Sequence, residues 1–316
     1  MTIVKKIIKK FTFAGALTLL LASTVFASNL PVDIRPKNYS GNIKFLKQVE
    51  LKYNFKGYNF SEISDLAYDP QKSLLYMVSD KGSMFTFSAN FTNNNFSLKP
   101  LSATYFKRKN GKRLRRWKRD TEGIALDSAG QIFISREGKP KVTLFSKNGN
   151  KVKNLALPKA LKKAKLRSRN KSLESLAYHP AYGLLTALEW PPKGTNLHYQ
   201  TIYSLSGKKW HFKSEPYKKN GVAEVEIMDD GNLLVLERAY NGYFGKFVVT
   251  LKKVFINDCK TKICPSKVFL SIDSAKNWHV ENFEGLAKVG KNRYLLVSDD
   301  NDSFFLRTIL IYFEII

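Results

Sequence analysis

The chain has 316 residues, 43% of them hydrophobic and 13% aromatic, and its 53 lysines and arginines against 26 acids give a net charge of +27. That apolar content excludes a disordered chain and is enough for a large core. The charge favours polyanionic partners or an anionic membrane surface.

The first 27 residues stand apart. Lys5, Lys6, Lys9 and Lys10 precede the apolar run Phe11 to Leu21, and Val25-Phe26-Ala27 offers small residues where a signal peptidase reads. The pattern predicts a signal peptide cleaved after Ala27 and a periplasmic or secreted protein. The run is shorter than the roughly 20 residues a span needs, so no transmembrane anchor is expected after cleavage. Losing four lysines and no acid leaves a charge of +23. Residues 28–42 carry two prolines and no periodicity and read as an extended leader to a domain covering 43–316.

Ile43 to Phe55, IKFLKQVELKYNF, reads as a lone strand. After it a unit recurs along the chain: an acid, a short apolar strand, a turn, a second apolar strand and another acid. Glu122 and Glu137 bracket one copy fifteen positions apart, as do Glu174 and Glu189, and Glu284 and Asp299. SDLAYDPQKSLLYMVSD has the spacing from Ser64 to Ser79 and from Asp65 to Asp80, and AEVEIMDDGNLLVLER is a shorter copy from Glu224 to Glu237 and Arg238. Two strands of this length joined by a turn form an antiparallel hairpin, which brings its polar ends side by side.

The first four units each continue into two more β-rich segments, and the last, ending in LRTILIYFEI, has room for only one. Four-stranded repeats of this period predict an all-β propeller of five blades, or six if the leader or a long link hides another, with the lone N-terminal strand completing the last blade. First strands then line the channel, placing Glu122, Glu174, Glu224 and Glu284 around its mouth, with Glu137, Glu189 and Asp299 on the same face. Two links between blades are strongly basic. Lys107 to Arg119, which contains Arg113, Arg115 and Arg116, has nine basic residues in thirteen, and Lys159 to Lys171 has seven in thirteen.

No G-x-S-x-G elbow, P-loop or H-E-x-x-H is present, and His179, His198, His211 and His279 are scattered. Cys259 and Cys264, in an exported chain, predict a disulfide. EWPPKG, Glu189 to Gly194, reads as a rigid loop on the acidic face.

NFEGLA followed by LLVSDDN, TEGIALD followed by FISREG, and AEVEIMDDGNLLVLER together resemble the bacterial family named for the esterase-like activity of phytase. The resemblance runs from about Glu62 to the C-terminus. It implies a secreted or periplasmic propeller and hydrolysis of phosphate esters, but transfers no catalytic residue.

Carboxylates converging at a mouth suit a hard cation such as Ca²⁺. Glu122, Glu174, Glu284, Asp299, Asp300 and Asn301 are therefore the expected metal ligands, with Asp299, Asp300 and Glu284 as the catalytic centre. Arg136, Arg238, Arg113, Arg115 and Arg116 are the expected phosphate-binding residues, since guanidinium fits phosphate oxygens in a bidentate way. An acid opening each inner strand also fits a purely structural role, bonding backbone amides of the next blade. The leading reading is a metal-dependent phosphoesterase for a small polyanionic phosphate ester. The alternative is a non-catalytic propeller whose basic arms bind an anionic envelope component or a protein. Nucleic acid is not expected, because the arms lack interleaved aromatics.

Overall fold

In the computed structural model the described residues are 27–316 without 116–117, 139, 169–170 and 241–245. The expected signal peptide up to residue 26, and Arg116, lie outside them.

Five sheets, antiparallel but for one short parallel pairing, form the blades of a propeller. The chain enters through β1 (Ala27–Pro31) and β2 (Ile43–Tyr53). Blade one is β3 (Ile63–Asp69), β4 (Leu74–Ser79), β5 (Ser83–Phe91) and β6 (Phe96–Tyr105). Blade two is β7 (Thr121–Leu126), β8 (Ile132–Arg136), β9 (Lys141–Phe145) and β10 (Lys151–Asn154), and a short helix α1 (Lys159–Lys162) follows it. Blade three is β11 (Ala177–His179), β12 (Gly183–Ala187), β13 (Tyr199–Ser204) and β14 (Lys209–Lys213). Blade four is β15 (Asn220–Ile227), β16 (Leu233–Tyr240), β17 (Phe247–Val254) and, beyond the two-residue β18 (Ile263–Cys264), β19 (Ser266–Asp273). Blade five is β20 (Asn282–Gly290), β21 (Arg293–Asp299) and β22 (Ile309–Ile315).

β2 pairs with β22, so the N-terminal strand supplies the fourth strand of the last blade and closes the ring. Two strands were not visible in the sequence. The start of the expected leader forms β1, which runs along β2 from Ala27 opposite Tyr53 to Pro31 opposite Val49. The excursion between β17 and β19 sends β18 to pair in parallel with β14 of blade three, and Cys259 is disulfide-bonded to Cys264 at its base.

Each blade is buried on both faces, so its strands read as nearly unbroken apolar runs. In β21, Tyr294 and Leu296 pack toward blade four while Leu295 and Val297 pack toward blade one. In β4, Leu75 and Met77 face blade five, and Tyr76 and Val78 face blade two. The two-residue period of a strand thus fills two interblade cores at once. Two further cores join blades two to three and three to four. Because the blades pack flank to flank, the inner strands converge on the axis, and what they carry there is decided by register.

Candidate functional site

Four of the five inner hairpins have a register shift near the entry of the first strand: at Ile63/Asp65, Thr121/Ile124, Val222/Glu224 and Phe283/Gly285. In blade three Leu173 bridges Leu188 and the Glu174 amide bonds the Ala187 carbonyl, which gives the same alignment. A bulge turns its extra residue out of the ladder. The bulged residues, blade by blade, are Ser64, Glu122, Glu174, Ala223 and Glu284. The residues leaving the second strand are Asp80, Glu137, Glu189, Arg238 and Asp299. Those opposite them at the entry are Glu62, Asp120, Ser172, Gly221 and Asn282.

Glu224 is therefore not a mouth residue, contrary to expectation. The fifteen-residue spacing in blade four runs from Ala223 to Arg238, and Glu224 sits one step deeper, level with Asp65. These two acids close the channel. Asp65 accepts from the Ile124 amide of blade two (2.7 Å) and the Leu286 amide of blade five (3.2 Å). Glu224 accepts from the Leu176 amide of blade three (3.0 Å) and from Val225 (2.8 Å). Burial pushes both carboxyls well up, and the Asp65 carboxyl beside it raises Glu224 further. The same level holds Gly123 and Gly285, and this explains the E-G pair of the repeat. A Cβ on Gly123 would lie 2.6 Å from the Leu176 amide nitrogen, and one on Gly285 would lie 2.7 Å from Asp65 Cα. The structural role open to the acids is thus filled by Asp65 and Glu224, leaving the bulged acids above them for other work.

Above this plug the mouth is strongly acidic and uneven. On the side of blades two and three, Asp120, Glu122 and Glu137 bring carboxylate oxygens within 4.8 Å of one another, and Glu137, Glu174 and Glu189 do the same. Glu137 belongs to both groups. It is 8% exposed and is anchored by the Ser172 amide (2.9 Å). Burial, opposed by that amide and aided by Asp120 and Glu189, raises its pKa to about 7. Burial and then neighbouring carboxylates push Glu122 and Glu174 well up, and burial also raises Asp120. Lys171 reaches this group, 2.7 Å from Glu189.

On the side of blades four, five and one the acids are partly neutralised. The Arg238 guanidinium donates to Glu284 and to Asn282 (2.5 Å) and lies 3.9 Å from Glu189. Burial works against its charge, but Glu284, Glu189 and Glu174 outweigh that and hold it protonated. Asp299 is 5% exposed and caps the Asn301 amide (2.7 Å). Burial, then Glu284, lifts its pKa to about 8. Burial and Glu62 lift Asp80 to about 9.

The sequence-predicted residues divide accordingly. Glu122 and Glu174 lie in the carboxylate groups; Glu284 and Asp299 lie in the mouth but beside Arg238. Asp300 is turned into the fold, accepting from the Glu62 amide (2.8 Å), the Asp302 amide (3.1 Å) and the Thr308 hydroxyl (3.0 Å). Asn301 is an exposed left-handed turn residue with φ 50°. Arg136 does not enter the mouth. Its buried guanidinium runs along the blade to the Lys118 carbonyl (3.2 Å) and Thr143 Oγ1 (3.0 Å). Arg113 lies 3.4 Å over the Tyr105 ring and donates to the Lys81 carbonyl, while Arg115 is exposed. EWPPKG packs on the second basic arm, where Arg167 donates to the carbonyls of Pro191 (2.8 Å) and Thr195 (2.7 Å). Asp120, Glu137 and Glu189 were not on the predicted ligand set. Their signal was present: blades two and three are adjacent, and both carry Glu at each end of the fifteen-residue unit.

The Phytase-like family profile, described as esterase-like activity of phytase, matches residues 59–302. Comparison with curated proteins gives no match. Among solved structures the chain is similar to virginiamycin B lyase from Staphylococcus aureus, with 9% identity, 87% of this chain and 100% of that chain covered, and a TM-score of 0.40. It is also similar to the β-propeller domain of Cps50 (Swd1) from Myceliophteria thermophila, with 11% identity, 77% and 64% covered, and a TM-score of 0.37. A third is U3-55K, with 8% identity, 86% and 98% covered, and a TM-score of 0.39. At these identities and scores the likenesses say nothing about activity.

Proposed function

Because the chain belongs to the Phytase-like family, we propose that its acidic mouth is a cation-dependent phosphoesterase site for a small phosphorylated substrate, centred on blades two and three. The observation that carries this reading is the pair of carboxylate groups sharing Glu137. Their donors are all hard oxygens, which is the donor set of Ca²⁺. Burial first, and then repulsion among the neighbouring carboxylates, raises the pKa values of Glu122, Glu137 and Glu174, and a cation bound there would favour their charged forms. The residues present therefore fit the group.

Asp120, Glu122, Glu137, Glu174 and Glu189 would hold the cation. When bound it would polarise a phosphoryl oxygen and activate water. Lys171 and Arg238 flank the group and would orient the remaining phosphate oxygens, Arg238 only by loosening its bond to Glu284. The Asp65–Glu224 plug closes the channel beneath, so substrate enters and product leaves by the same mouth. Export fits such a scavenging role and belongs to the same proposal.

The test is hydrolysis of an aryl phosphate and of phytate, with calcium or a chelator, by the chain and by Glu137→Gln and Asp300→Asn. Gln keeps the acceptor for the Ser172 amide. Calcium-dependent turnover lost in Glu137→Gln supports the assignment. Turnover indifferent to the chelator, or unchanged in Glu137→Gln, overturns it.

A further inference from the structure

Residues 300–308, linking β21 to β22, carry the two most exposed large apolar side chains among the described residues: Phe304 at 97% and Phe305 at 86%. Neighbouring phenylalanines left in water this fully are unfavourable unless a partner covers them. Their rings meet edge to face, 5.6 Å between centroids.

The link is held at its base and turned outward at its tip. Asp300 ties it to the Glu62 amide and to Thr308, and left-handed Asn301 and Asp302 swing the chain away from the blade. Lys81 Nζ bonds Asp302 (2.7 Å), and the Lys81 carbonyl accepts from Arg113 (3.2 Å), so Lys81 links the base of this loop to the first basic arm. That arm exposes Lys109, Lys112 and Arg115. Exposed Lys56 sits in the adjoining turn, which the Tyr105 hydroxyl fastens through Gly57 (2.9 Å). One sector of the rim thus joins an aromatic tip to a cluster of cations, the combination that binds peripherally to an anionic bilayer.

We propose that this sector docks on an anionic lipid surface, with Phe304 and Phe305 entering the headgroup–acyl boundary and Lys56, Lys109, Lys112 and Arg115 over the lipid phosphates. Docking here holds the mouth beside the bilayer. It uses none of the carboxylates of the proposed hydrolytic site and stands without it.

The test attaches bimane at Ser303→Cys in the full chain, whose own cysteines are disulfide-bonded to each other. Phosphatidylglycerol vesicles should shift its emission to the blue, phosphatidylcholine vesicles should not, and roughly 0.5 M salt should weaken the response. In sedimentation with the same vesicles, Phe304→Ser/Phe305→Ser should bind at least about tenfold more weakly. Wild type and variant share residues 1–26, so any pull of the apolar N-terminal run is common to both. No shift on phosphatidylglycerol, equal shifts on both lipids, or unchanged sedimentation of the double variant would overturn the proposal. So would a shift that appears on raising protein concentration without vesicles, which would make a second copy the occupant.

Discussion

Replacing Asp299 by asparagine should stabilise the protein at alkaline pH and leave it unchanged at acid pH. Asp299 is buried beside Glu284, Asp300 and Glu62, and its pKa rises from 3.8 to about 8. The folded state therefore binds this proton more tightly than the unfolded state. The stability it contributes is full below about pH 4 and is lost as pH rises through 8. Four units at about 1.4 kcal/mol each set a ceiling of about 5–6 kcal/mol. Burial is the largest cause and the neighbouring carboxylates that add to it also adjust, so about half, ~3 kcal/mol, is the working figure. For a chain of this size that is about 5 °C in melting temperature. Asparagine keeps the oxygen that caps the Asn301 amide. Melting in a chelator should find Asp299→Asn about 5 °C above wild type at pH 9 and within a degree of it at pH 5. A variant less stable than wild type at both pH values would refute the reasoning, since Asp299 would then act through its charge.

Gly123→Ala should cost about 1–3 kcal/mol, because the new methyl meets the backbone of blade three rather than a movable side chain, and chemical denaturation reads the loss. Asp65→Ala should cost about 2–4 kcal/mol by leaving the Ile124 and Leu286 amides without acceptors in the channel, and faster hydrogen exchange at those two amides checks the cause.

Blade architecture was legible because each blade is buried on both faces, so the strand pattern and the fifteen-residue unit survive divergence of individual residues. Closure was legible for the same reason: β22 lacked a partner and Ile43 to Phe55 lacked a unit. Register was not, because a bulge adds one residue without a signature of its own. That is how Glu224, with Ala223 before it, passed for the counterpart of Glu122. β1 and β18 were missed because their residues show no alternation and are strands only through their partners β2 and β14. The candidate site was half legible. The acids were found, but the pull of Asp299-Asp300-Asn301 hid the neighbour relation that matters: blade five adjoins Arg238, whereas blades two and three adjoin each other with acids at every end.

Calorimetric titration of calcium into the chain, Glu137→Gln and Asp299→Asn tests the central claim most directly. A hard cation held between blades two and three predicts binding by the chain, at least about tenfold weaker binding by Glu137→Gln, and binding by Asp299→Asn close to wild type. Binding that survives in Glu137→Gln and disappears in Asp299→Asn would contradict the account and move the site to the blade-five side of the mouth.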